Sequence, residues 1–241
     1  MHEDHRKRVR ERFLAEGLDN FAPHNILEFL LFYAIPQRDT NPIAHDLIEK
    51  FGSLSAVFDA DIKELCDVKG IGEYSAVLIK MIPQLARAYT IDSQKPRSMY
   101  NDVDKLGKFF TTRFIGRSVE TVFIAYFDSA YHLLDCELLC EGSVNAVQVN
   151  VRNIIEQAFK LRASMVAIAH NHPGGIAVPS SDDIQMTHRL KETFETVSID
   201  LIDHYVISGE KYMPIMLSTS ETLKQSILES AERRRFYKLP Q

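Results

Sequence analysis

The sequence predicts an α/β protein: an all-helical N-terminal domain over residues 1–90, a linker over 91–99, and over 100–241 a mixed β-sheet domain flanked by helices. Three observations carry the prediction. The first ninety residues read as short helices punctuated by glycine and proline. Residues 91–99, Ile-Asp-Ser-Gln-Lys-Pro-Arg-Ser-Met, are polar, hold a proline and have no apolar period. From residue 100 onward, helical and strand patterns alternate. At 241 residues the chain has room for one large domain or two small ones, and its 45% hydrophobic content allows a real core.

In the first domain, Arg6 to Ala15 is charged and helix-prone, and Asn25 to Tyr33 is a nearly continuous apolar helix ended by Pro36. Pro42 to Phe51 is helical, with Gly52 as its C-terminal stop. Ser53 to Phe58 and Ile62 to Cys66 are short helices. Tyr74 to Tyr89 is a longer one, and Pro83 should bend it or shift its start. In the second domain, Asp102 to Phe110 is a helix, Glu120 to Phe127 a strand, and Tyr131 to Cys140 covers another. Val151 to Ala163 is an amphipathic helix with Ile154, Ile155, Ala158, Phe159 and Leu161 on or near one face. Met165 to His172 is a strand, Asp182 to Val197 a helix and Leu201 to Ile207 a strand. Ser218 and Glu221 have the spacing of a capping box opening a last helix, which ends in the charged run 232–235.

Composition excludes several classes. No stretch approaches the roughly 18 apolar residues of a membrane span, and the N-terminus lacks the apolar core of a signal peptide. Cys66, Cys136 and Cys140 are odd in number and show no Cys-x-x-Cys spacing, as expected of reduced thiols in a cytoplasmic protein. The net charge of −5 argues against strong non-specific binding to nucleic acid.

The chemistry concentrates at His170-Asn171-His172-Pro173-Gly174-Gly175, followed by Ser180 and Asp183. Histidines two apart project to one side of an extended strand. Pro173-Gly174-Gly175 turns the chain, which returns through Ser180 and Asp183 into a helix. That brings a carboxylate toward two imidazoles: three ligands for a divalent ion, with a fourth position left for water. Taken singly, each residue also suits a structural role. Alternating histidines occur on ordinary strand ends, and serine followed three residues later by an acid resembles an N-cap.

The full spacing, His-x-His, seven residues, Ser, two residues, Asp, resembles the JAMM (MPN-plus) metalloprotease signature, and the local string resembles the bacterial RadC proteins within that superfamily. Leu201-Ile202-Asp203-His204 resembles the strand that follows the metal loop in that family. Phe127-Asp128, Gly142-Ser143 and the N-terminal helical region also match. The chain departs from the family pattern at Gly174, usually serine, and at Asn150-Val151-Arg152-Asn153, where only Arg152 matches. The resemblance implies a cytidine-deaminase-like JAMM domain with zinc on His170, His172 and Asp183. It implies Ser180 as hydrogen-bond donor to an oxyanion, and an upstream glutamate as general base and acid. Glu120, at the start of the domain's first strand, occupies the family's place for that glutamate. Glu137 and Glu141 are weaker candidates, and a solvated acid at a strand start is the alternative for Glu120. The implied reaction is metal-assisted hydrolysis of a peptide or isopeptide bond in a protein substrate, with no cysteine required. His188, about a turn and a half beyond Asp183, should face solvent. His204 could orient a ligand from behind or simply be packed in its strand.

In the N-terminal domain, Asp67 to Ala76 resembles a helix-hairpin-helix. Gly70 and Gly72 allow a tight turn and expose amides at a helix start that could hold DNA phosphate, with Lys69 beside them. Residues 1–90 carry 11 Lys and Arg against 14 Asp and Glu, so any DNA contact would need a local basic patch. A turn that serves only packing is the alternative. Three functions therefore stand open from the sequence. The first is a zinc metallohydrolase, and the second is a DNA repair or recombination accessory protein whose zinc is mainly structural. The third, an iron centre on the same two histidines and one carboxylate, is disfavoured by Ser180 and the family spacing.

Overall fold

A computed structural model describes residues 2–93, 98–142 and 150–219. The chain divides into two compact units, Met1–Tyr89 and Thr90–Gln241.

The first unit is helical: α1 (His2–Glu16), α2 (Pro23–Ala34), α3 (Asn41–Phe51), α4 (Leu54–Asp59), α5 (Ile62–Cys66) and the greater part of α6 (Glu73–Asp92). Local chemistry sets the boundaries. Pro23 and Pro42 occupy first-turn positions, where a missing N–H is harmless. Ser53 caps α4 by accepting from the Ala56 amide, and Asp61 with Glu64 forms a capping box on α5. The core gathers Leu27 and Leu31 of α2, Ile43 and Leu47 of α3, Val57, Leu65 and Ile79. Pro83 lies inside α6, which runs past Tyr89 through Ile91 and Asp92, the first two residues of the expected linker. Met99, its last residue, forms a bridge with His132.

The second unit carries α7 (Val103–Arg113), β1 (Thr121–Phe127), β2 (Leu133–Glu141), α8 (Val151–Leu161), β3 (Met165–Asn171), α9 (Ser181–Glu195), β4 (Asp200–Ser208) and β5 (Lys211–Pro214). The strands form a mixed sheet in the order β2-β1-β3-β4-β5. β1 pairs antiparallel with both β2 and β3, β3 pairs parallel with β4 through the α9 crossover, and β5 closes the edge antiparallel to β4. Every residue of β1 and β3 is buried, because both strands are internal and covered on both faces. One face packs Phe123, Ala125, Ala167 and Tyr205 against Leu106, Phe109 and Phe110 of α7. The other packs Val122, Ile124, Val166 and Ile168 against Ile154 and Ala158 of α8 and Leu190 and Phe194 of α9. The result is the α/β architecture expected from the alternation.

Two differences stand out at the C-terminal end. β5, four residues long and ending in Pro214, carries too short an alternation to be legible. The chain is already helical at 215–219, so Ser218 lies within a helix rather than capping one. Ser143, Ser220, Glu221 and the run 232–235 lie outside the described residues.

Candidate metal centre

The site is built at the carboxyl end of β3. His170 pairs with Val122 of β1 on one side and Val206 of β4 on the other. The strand assignment ends at Asn171, but the His172 amide still donates to the Ile207 carbonyl at 2.8 Å. Both histidines are therefore held on a sheet. Beyond them Gly174 turns the chain with φ +68°, and the Ser208 hydroxyl donates to the Gly175 carbonyl at 2.8 Å, tying the loop to β4. The chain re-enters at α9, where Ser180 is the N-cap. Its hydroxyl oxygen accepts from the Asp183 amide at 3.2 Å, while its own amide and hydroxyl donate to Asp183 Oδ2 at 2.8 and 2.6 Å. The capping box thus does two things: it starts α9, and it aims the Asp183 carboxylate at β3.

Three sequence-predicted ligands meet as a result. His170 Nε2 and His172 Nε2 are 3.0 Å apart, and Asp183 oxygens lie 3.2 Å from the first and 3.6 Å from the second. Candidate ligand atoms of the three residues all fall within 4.8 Å of one another, and among the described residues this is the only such group. The donor set suits a divalent ion of the zinc type: two borderline nitrogens and one hard oxygen from three protein groups. Burial pushes the Asp183 carboxyl up. Hydrogen bonds with His170 and Ser180 outweigh it and hold the group well below the usual carboxylate range, which favours the anionic form.

His204 lies behind the candidate ligands. It is fully buried, its Nε2 is 2.8 Å from His170 Nδ1, and its Nδ1 is 2.7 Å from the Thr187 hydroxyl. Burial, with His170 beside it, pushes its imidazole below the ordinary range and so favours the neutral ring. The Thr187 hydroxyl donates to the Asp183 carbonyl one helical turn earlier, at 2.7 Å. Sequence reasoning missed Thr187. The available signal was its position four residues after Asp183 on an amphipathic helix, which puts both on the inner face. His188 is exposed.

Asn171, between the two histidines, clamps the start of β1. Its Oδ1 accepts from the Thr121 amide at 2.7 Å and its Nδ2 donates to the Val119 carbonyl at 3.1 Å. Those two groups flank Glu120, which is exposed. The β1–β3 pairing ends at Val122–His170, and strand alternation from Val122 assigns Glu120, two residues earlier, to the face of the sheet that carries His170. The other two glutamates are otherwise engaged. Glu137 accepts from the Tyr126 hydroxyl at 2.5 Å, and Glu141 pairs with Arg117 at 3.0 Å.

Lys69, Gly70 and Gly72 lie in the first unit, in the turn between α5 and α6. Gly70 has φ +98°, and a Cβ there would come within 2.7 Å of Ile43 Cδ1. The Gly72 amide donates to the Ser75 hydroxyl at 2.9 Å, and the Ile71 amide donates to the Val68 carbonyl at 3.0 Å. Both amides are thus engaged internally, while Lys69 is exposed. Cys66, Cys136 and Cys140 are free thiols. Among the described residues no helix is long and apolar enough to cross a membrane.

Comparison with known proteins agrees with this architecture. Residues 100–221 match the RadC-like JAB domain and residues 2–77 the UPF0758 N-terminal domain. A UPF0758 protein of Fusobacterium nucleatum is 31% identical, covering 88% of this chain and 94% of that protein. One from Ruegeria pomeroyi is 33% identical, covering 85% and 91%. One from Paraburkholderia xenovorans is 30% identical, covering 83% and 79%. With both domain types matched along one chain, and a candidate ligand trio inside the second, the protein belongs to the RadC-like JAB domain family, in its UPF0758 group.

Proposed function

We propose that the second unit is a zinc-dependent hydrolase that cleaves a peptide or isopeptide bond. The convergence of His170, His172 and Asp183 at the end of β3 supports the reading, because three protein ligands leave one position for a reacting group. Bound zinc would supply Lewis acidity and a water whose pKa is lowered toward ~7. The protein's own groups supply the rest. Glu120, on the ligands' face of the sheet, takes a proton from water and hands it to the departing amine. Ser180 hydrogen-bonds the carbonyl oxygen of the scissile bond as that oxygen gains charge. In the structure its hydroxyl proton rests on Asp183 Oδ2, so this role requires the hydroxyl to turn toward substrate. No thiol takes part.

Metal analysis of the purified protein tests the reading first. Wild type should hold ~1 zinc per chain, lost in His172→Ala and in Asp183→Ala. Glu120→Gln should keep the metal and lower cleavage of a panel of peptides and isopeptide-linked conjugates by at least ~100-fold. A wild type that takes up no zinc, even with zinc added, overturns the reading. A Glu120→Gln enzyme that cleaves at the wild-type rate removes Glu120 from the role of base.

A further inference from the structure

His204 and Thr187 touch neither the solvent nor the face where substrate would lie, yet they complete an unbroken line of hydrogen bonds to the metal face: Asp183 carbonyl, Thr187 hydroxyl, His204, His170. The direction of that line follows from counting protons. A carbonyl oxygen only accepts, so the single proton of the Thr187 hydroxyl goes to Asp183. The hydroxyl can then only accept from His204, which places a proton on His204 Nδ1. A neutral imidazole with its proton on Nδ1 has a bare Nε2, and that atom faces His170 Nδ1 at 2.8 Å. The bond between them requires a proton on His170 Nδ1. His170 Nε2 is then the ring's remaining nitrogen, turned toward His172 and Asp183, where a bound ion would take its lone pair.

We propose that Thr187 and His204 are positioning residues that lock His170 into its Nδ1–H tautomer and present its Nε2 to the metal. The proposal rests on the metal reading above and assigns work to two residues that the ligand set alone leaves idle. The same helix serves both ligands: α9 places Asp183 through its N-cap and, one turn later, fixes the tautomer of His170 through Thr187. A register slip of β4 would break the line, because the pairing of His204 with Ile168 brings it beside His170. Orienting partners behind a metal-bound histidine typically change metal affinity by ~10–100-fold.

Two measurements on the full chain test it. The first is long-range nitrogen–proton correlation of the histidine rings in wild type, with and without zinc, the His204 signals identified by their loss in His204→Gln. The expected result is a proton on Nδ1 and a bare Nε2 in both states. A proton on His204 Nε2 overturns the proposal whatever the metal does. The second is zinc affinity by competition with a chromophoric chelator. His204→Phe keeps the ring shape without the acceptor and should bind zinc ~10–100-fold more weakly. His204→Gln can accept from His170 and donate to Thr187, and should recover most of the affinity. Thr187→Ser should bind like wild type, and Thr187→Val more weakly. His204→Phe binding within twofold of wild type, with wild-type circular dichroism, overturns the proposal while leaving the metal reading intact. A wild type that binds no zinc overturns the metal reading, and the wild-type ring spectrum still decides the tautomer.

Discussion

At the scale of single residues, the site depends on side chains that reach backbone as much as on those that would reach metal. Asn171 is the clearest case. It is 5% exposed, and its amide satisfies the Thr121 N–H and the Val119 carbonyl on either side of Glu120. Thr121 is itself fully buried, so its amide has no water to turn to if the clamp is lost. Asn171→Ala should therefore lower stability in urea unfolding by about 1–3 kcal/mol. It should leave zinc content unchanged, because no ligand atom is removed, and it should lower hydrolysis by loosening Glu120. Stability equal to wild type would show that the segment before β1 is held by other contacts. None of this was legible in the sequence. His-Asn-His announces two candidate ligands by their alternation, but which backbone the middle residue reaches depends on the β1–β3 register, a contact between residues fifty positions apart.

At the scale of elements, the sequence was most legible where period and punctuation agreed. β3 and α9 were readable because a buried apolar run, a Pro-Gly-Gly turn and an N-cap serine follow one another within a few residues. β5 and the extension of α6 were not, because four residues ending in proline and a polar helix end carry no period of their own. The packing of β5 on α7 shows what period reading cannot see. Tyr212 of β5 lies over Gly107 of α7, and its hydroxyl donates to Asp104, one turn earlier on the same helix, at 2.7 Å. Helix propensity alone predicts that Gly107→Ala stabilises the protein by about 1 kcal/mol. The packing predicts the opposite: a Cβ there would intrude on the Tyr212 ring, which its hydrogen bond to Asp104 holds in place. Overpacking of that kind costs about 1–3 kcal/mol. Net destabilisation in denaturant unfolding is the expected result, and a stabilised variant would mean the ring moves aside freely.

At the scale of the whole molecule, the two units have separate cores. The helical unit's apolar cluster is drawn from α2 to α6, and both clusters of the second unit are drawn from the sheet and the helices on its two faces. The candidate ligands all lie in the second unit, on β3, the loop after it and α9. Metal binding should therefore be felt unevenly along the chain. A ligand that binds only the native state stabilises it by RT ln(1 + [L]/Kd), about 2.7 kcal/mol at a hundredfold excess over Kd. That is roughly a hundredfold slowing of amide exchange for groups that exchange only when the metal-holding region opens. In peptide-resolved hydrogen exchange, zinc should slow the segments Met165–Asn171, Ser181–Glu195 and Asp200–Ser208, because opening any of them releases a ligand or the histidine behind it. Segments Pro23–Ala34 and Asn41–Phe51 pack in the other core and should exchange at the same rate with and without zinc. His172→Ala should abolish the response throughout. Equal slowing in both units would mean that they open together, and no slowing in wild type would mean that the three residues meet without holding an ion.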